Sequence, residues 1–357
     1  MIVPAVEETD EMRARTRFLV FQLILLVCLS RSGWAQGSAA DINYSEGLEF
    51  FKNRQYDLAE HAFMAARKHG PNAVDASYRL GLLYTLTGQW DRAETVLAEF
   101  LNDRPGSAEG LYLLGYALFR KGKYSDSVST LRQSLDHNPD NPEAHRILGL
   151  DYFQLTRLEL AEEELETAIR LDPQLTEAHY FLGRVYYTLN RFNKALDCFG
   201  TAIRLNPEYM KAYDNLGLTL DALGHFDDAT QAYRKAIELN EHLPDRSKWP
   251  YYNFGELLFK HNDVAQSIVC YQKALAVDPG WAQARVALGK AFLKEGNERQ
   301  ALGELRAASR MDPQSSEAHY HLGQLLRKLG QVEAAKDELR LFEATRRTTQ
   351  DRHRISE

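Results

Sequence analysis

Cysteine is scarce: three residues in 357, at Cys28, Cys198 and Cys270. A small scaffold stapled by disulfides is therefore excluded. No two histidines lie four residues apart, and there is no Gly-rich phosphate loop. The sequence thus lacks the helical zinc-ligand spacing and the backbone cradle that nucleotide phosphates need. Positive charge is not in excess: 43 Lys and Arg stand against 50 Asp and Glu, a net charge of −7. Neutralising a phosphate backbone needs a dense basic surface, so a nucleic-acid partner is not expected. The apolar run Phe18 to Leu29, broken by Gln22, falls short of the ~20 residues that span a bilayer.

What is present is enough for a large core, with 44% hydrophobic and 26% charged residues. The N-terminus stands apart. Arg13, Arg15 and Arg17 precede the apolar run, and Gly33 and Ala35 follow it. This order of basic, apolar and small residues predicts a secretory signal over 1–35, cleaved after Ala35 or, second, after Ala40. The lead-in Met1 to Glu11 is acidic, which leaves Met12 as an alternative start. An exported protein, periplasmic or extracellular and of bacterial type, is the expectation. A membrane enters only through the transient signal.

The rest of the chain is periodic. Leu-Gly recurs at Leu80-Gly81, Leu114-Gly115, Leu148-Gly149, Leu182-Gly183, Leu216-Gly217, Leu288-Gly289 and Leu322-Gly323, with Phe254-Gly255 between and Gly47 before. The spacing is 34 residues throughout, except for 38 between Gly217 and Gly255. With the glycine at position 8, position 20 is Ala or Ser in every unit, and position 32 is proline in seven, from Pro71 to Pro313. Position 15 is Gly or Asn in seven units, residues that enter the left-handed conformation ending a helix. Positions 4, 7, 8 and 11 share one helical face, as in Tyr213, Leu216, Gly217 and Leu220. A second helix runs through positions 20, 24 and 27, and the small residues let the two helices approach closely.

This pattern resembles the tetratricopeptide repeat. The resemblance implies an all-α fold, a right-handed α-solenoid of about nine helix-turn-helix units. Their expected bounds are 40–73, 74–107, 108–141, 142–175, 176–209, 210–247, 248–281, 282–315 and 316–349, followed by a polar tail, 350–357, expected to be disordered. Cys198 and Cys270 lie two units apart, too far for a disulfide, and read as small buried side chains.

Almost no sequence remains for a catalytic domain. No catalytic residue, metal site, cofactor or small-molecule substrate is expected, and His145, His179 and His319 all fall at position 4, a packing position. The resemblance instead implies a concave wall lined by positions 2, 5, 9, 12 and 13 of the first helices. Position 5 is tyrosine in six units, including Tyr44, Tyr78, Tyr112, Tyr180 and Tyr252; position 12 adds Tyr187 and Phe259. These rings either pack between first helices or form a platform for a protein or peptide partner. In the second case Tyr180 and Tyr252, central on the wall, would matter most. Trp249 follows the four-residue insertion and reads as an aromatic anchor or as the edge of a tolerated loop. Lys290, Lys294, Arg327 and Lys328 offer a basic patch for an acidic partner. No unit combines Lys at position 5 with Asn at 9, and only Asn215 and Asn253 occupy position 6 as asparagine. Carboxylate-clamp binding of chaperone tails and asparagine-ladder recognition are therefore both disfavoured. The leading reading is a non-enzymatic protein-interaction scaffold. The alternatives are an accessory subunit of a secretion, pilus or envelope-assembly machine, and a glycan-binding protein.

Overall fold

The computed structural model describes residues 39–68 and 72–356. The expected signal, 1–35, and Pro71 lie outside them. Eighteen helices and no strand occur among the described residues. They form successive hairpins: α1 (Ala39–Lys52) with α2 (Tyr56–Lys68), α3 (Ala73–Thr87) with α4 (Trp90–Asp103), α5 (Ala108–Arg120) with α6 (Tyr124–His137), and α7 (Pro142–Gln154) with α8 (Leu158–Leu171). Then follow α9 (Thr176–Thr188) and α10 (Phe192–Leu205), α11 (Met210–Ala222) and α12 (Phe226–Glu241), and α13 (Trp249–Lys260) and α14 (Val264–Val277). The last hairpins are α15 (Ala282–Glu295) with α16 (Glu298–Met311), and α17 (Ser316–Lys328) with α18 (Val332–Ser356). The fold is the expected all-α solenoid of about nine helix pairs. The last helix, α18, runs on through Ser356, into the polar tail that the sequence expected to be disordered.

The hairpins close where the glycines predict. A methyl group placed on Gly149 would come within 2.7 Å of Leu165 Cγ, and one on Gly217 within 2.8 Å of the Tyr233 ring. Each glycine sits opposite the residue at position 24, so the first and second helices nearly touch there. Position 15 is left-handed in all nine hairpins, including the two where the residue is neither Gly nor Asn: Arg54 at φ 59° and Thr156 at φ 57°. Both make the same closing bonds as the glycines. Thr156 N–H donates to Phe153 O and Arg157 N–H to Tyr152 O, as Gly88 N–H donates to Thr85 O and Gln89 N–H to Tyr84 O. A left-handed non-glycine costs roughly 1–2 kcal/mol, which burial of the hairpin interior offsets.

The chain divides into two compact units, Met1–Val185 and Tyr186–Glu357, with the division inside α9. In the first, Phe51, Phe63, Leu80, Leu83 and Leu97 share one core cluster. In the second, Tyr271, Leu288, Leu305 and Leu322 form one cluster, and Tyr233, Phe254, Leu258 and Cys270 another. Cys198 and Cys270 are unbridged. Burial pushes the Cys270 thiol up to about 11, as befits a small apolar core group.

The position-4 histidines tie each hairpin to the turn before it. His145 Nε2 lies 3.0 Å from Pro139 O and its Nδ1 2.6 Å from Glu164; His319 repeats this with Pro313 O and Glu338 at the same distances. Arg285, at the same position, donates to Pro279 O and Glu304. Glu164, in the acidic run Glu162–Glu164, thus serves as a structural partner.

Candidate functional site

Within each compact unit the first helices of neighbouring hairpins stand against one another, and position 5 reaches across that seam at Arg146, Asp214 and Tyr252. In the first unit Tyr44 packs on Phe63 (ring centroids 5.9 Å apart), Tyr78 on Phe100 (5.4 Å) and Tyr112 along Tyr116 (6.5 Å). All three are half-buried. Tyr180 is only 4% exposed, against Phe181. In the second unit Tyr252 is 8% exposed, and its hydroxyl accepts from Gln283 of the following first helix. Burial raises the pKa of Tyr78, Tyr112 and Tyr252.

Of the two readings left open for the position-5 rings, packing describes Tyr180 and Tyr252, which are both buried. At Tyr252 the following first helix reaches the ring through Gln283, and Tyr180 packs against Phe181 of its own helix. In the last described hairpin Tyr320 is 40% exposed.

Two position-5 residues are charged. Arg146 is 1% exposed; its Nε donates to Glu143 at 2.7 Å, and Nη1 pairs with Glu177 of the next first helix at 2.9 Å. Burial works against its charge, but the two carboxylates outweigh it and hold the pKa up. Asp214, also buried, accepts two contacts from Asn253 Nδ2 at 3.0 and 3.1 Å, and burial pushes its carboxyl up to about 7. Neither site was apparent from residue type, because their partners lie 31 and 39 residues away in the next unit.

The remaining predicted residues keep more surface. Tyr187, Trp249 and Phe259 are half-buried. The basic patch is engaged by the chain itself: Lys290 donates to Glu317, Lys294 to Phe259 O while lying 4.6 Å over the Phe259 ring, Arg327 to Gln324, and Lys328 pairs with Glu298. Sequence reasoning missed Trp281, which caps α15 and packs on Trp249 with ring centroids 4.8 Å apart. Its signal was faint, a lone tryptophan at the junction of two units. Among the described residues, no group of three or more His, Cys, Asp or Glu has the arrangement to hold a metal. No described helix is long and apolar enough to cross a membrane.

Comparison with known proteins identifies the repeat. A family model described as tetratricopeptide repeat matches residues 44–108, 87–142, 112–176, 252–298 and 286–345; two others with the same description match 176–209 and 210–243. No curated protein matches the chain. Among solved structures, the chain is similar to pilF of Pseudomonas aeruginosa, with 19% identity over 62% of this chain and 99% of that one and a TM-score of 0.53. A tetratricopeptide repeat protein of Parabacteroides merdae shares 18% identity over 71% and 98%, with a TM-score of 0.56. The Cut9–Hcn1 structure of the APC/C gives 14% identity over 94% and 81%, also with a TM-score of 0.56. At these identities the likeness is one of fold.

Proposed function

Because the chain belongs to the tetratricopeptide repeat family, we propose that it is a non-catalytic scaffold that docks a polypeptide segment on the first-helix wall, above all in its second compact unit. Repeats of this family mediate protein–protein contacts, and helix pairs stacked in this way present broad surfaces built for that use. The observation that carries the choice of wall is the set of aromatic rings left partly open there. Trp249, Trp281 and Phe259 are half-buried, and Tyr320 is more open still. Rigid amphipathic rings of this kind carry a large share of interface energy at small entropic cost.

A paired measurement tests this. Trp249→Ala should weaken binding of the native partner, identified by crosslinking, by about 1–3 kcal/mol while melting stays close to the parent. Tyr180→Ala, at a buried ring, should instead cost roughly 3–5 kcal/mol of stability and leave affinity per folded molecule unchanged. Unchanged affinity in Trp249→Ala would move the binding surface away from this wall.

We further propose that the protein acts outside the cytoplasm, on the strength of the basic, apolar and small residues of 1–35. N-terminal sequencing of the mature protein should begin near Gln36 or Asp41. Retention of Phe18 to Leu29 would favour an anchor over a cleaved signal.

A further inference from the structure

The four residues that break the 34-residue period fall in Glu241–Lys248, and the segment has a defined shape. Asn240, fully buried in the last turn of α12, grips it twice. Its Nδ2 donates to Ser247 O at 2.8 Å, and its Oδ1 accepts from Ser247 N–H at 2.7 Å. The grip delivers Lys248 to a set of aromatic rings. The Lys248 ammonium lies 4.5 Å from the centroid of the Trp281 ring and 5.8 Å from that of Trp249. The two indoles meet edge to face, and Tyr252 adds a third ring, 4.6 Å from Trp281 and 6.3 Å from Trp249. A carboxylate completes the enclosure: Asp278 Oδ2 accepts from Lys248 at 2.7 Å, while Asp278 Oδ1 accepts from Gly280 N–H at 3.1 Å.

Aromatic faces carry negative charge density at their centres, and with a carboxylate beside them they make a receptor for a cation. Here the receptor already holds one, supplied by the chain. The hold is of the weak sort: the Lys248 side chain is 28% exposed and Asp278 37%, so water competes at both.

We propose that Trp249, Trp281, Tyr252 and Asp278 form a socket for a lysine or arginine side chain of the polypeptide partner, and that Lys248 is a built-in competitor which leaves when the partner docks. The wall's chemistry thereby selects a basic residue in the bound segment. The proposal rests on the scaffold reading for its use, but its chemistry is testable without the partner. A tethered ammonium lowers the apparent affinity of any incoming cation by the fraction of molecules whose socket is open. Lys248→Met removes the competitor and keeps the apolar stem.

The probes are the peptide acetyl-Gly-Lys-Gly-amide and its uncharged norleucine counterpart, titrated into the full chain at constant ionic strength. The readout is the indole N–H resonances of Trp249 and Trp281. We expect Lys248→Met to bind the lysine peptide with a half-saturation concentration about five- to tenfold lower than the parent. The norleucine peptide should leave both resonances in place. Adding Asp278→Asn should remove most of that gain, and adding Trp281→Ala should abolish binding. Lys248→Gln, which keeps a polar tip, should behave like Lys248→Met and guards against a folding defect peculiar to one variant. Equal half-saturation in parent and Lys248→Met, or equal response to the norleucine peptide, would overturn the proposal. So would partner affinity unchanged by Asp278→Asn in a chain whose socket binds the peptide. Such a result with partner binding otherwise intact discards the socket alone and leaves the scaffold reading standing.

Discussion

Arg146→Met should destabilise the protein by about 3–5 kcal/mol, the effect of stripping one partner from a buried ion cluster. The arginine sits in the seam between α7 and α9 with its side chain 2% exposed, bonded to Glu143 and Glu177. Methionine fills much of the volume but leaves two carboxylates facing apolar surroundings and each other. Those carboxylates are 20% and 16% exposed, so water recovers part of the loss, and the lower end of the range is expected. The triple variant Arg146→Met, Glu143→Gln, Glu177→Gln removes all three charges. It should regain at least half of the deficit, because a neutral, well-packed seam costs little relative to an intact ion cluster. Thermal or urea unfolding of the three proteins measures this. A single variant within 0.5 kcal/mol of the parent would mean that the cluster contributes nothing to stability.

The second large effect depends on pH and centres on Asp151. Its carboxyl is fully buried on α7. Ser127 Oγ lies 2.5 Å from Asp151 Oδ2 and 2.8 Å from Gly115 O, and Asp151 Oδ1 has no partner. A hydroxyl has one proton. Both contacts are satisfied when Asp151 is protonated and donates to Ser127, which donates onward to Gly115 O. Burial accordingly pushes the carboxyl up to about 8, with the Ser127 contact opposing.

An unfolded aspartate titrates near 4. Between about pH 4 and pH 8 the folded state thus holds one proton more than the unfolded state at this residue. Stability from Asp151 therefore falls as pH rises through that window and levels off above it. Asp151→Asn abolishes this titration. The stability difference between variant and parent should shift in the variant's favour by about 3 kcal/mol or more from pH 5 to pH 8.5. Comparing the difference at the two pH values cancels the other titrating groups and any fixed cost of the extra amide proton. A difference that does not change with pH would show that Asp151 titrates alike folded and unfolded.

Both residues show where sequence reading ran short. Arg146 and Asp151 belong to a unit that looked ordinary, with its glycine, its small residue at position 20 and its proline all in register. Nothing in their types announces burial. Arg146 is buried because Glu177 and the next first helix cover it, and Asp151 because Ser127 and Gly115 of the preceding hairpin do. The tyrosines at position 5 went the same way. Their amphipathic chemistry was equally consistent with a binding platform and with packing, and sequence could not tell that Tyr180 and Tyr252 would be buried. Trp249 was singled out from the broken period, but its neighbour Trp281 and the lysine between them were not.

The division follows from the range of the interactions. Contacts within one hairpin recur at fixed offsets: position 8 on position 24, and position 15 at the turn. Nine copies write those offsets into the sequence as a 34-residue period, so the helix pairs, their close approach and their number were determined there. Contacts between hairpins join residues about one period apart, and their chemistry changes from seam to seam: Arg146 with Glu177, Asp214 with Asn253, Tyr252 with Gln283. No period marks them. Arg54 and Thr156 take a glycine's conformation, Tyr180 is buried while Tyr320 is open, and Lys248 rests among tryptophans. Only the tertiary structure decided these points, because each depends on which side chains the adjoining elements bring and on the packing energy that holds them in place.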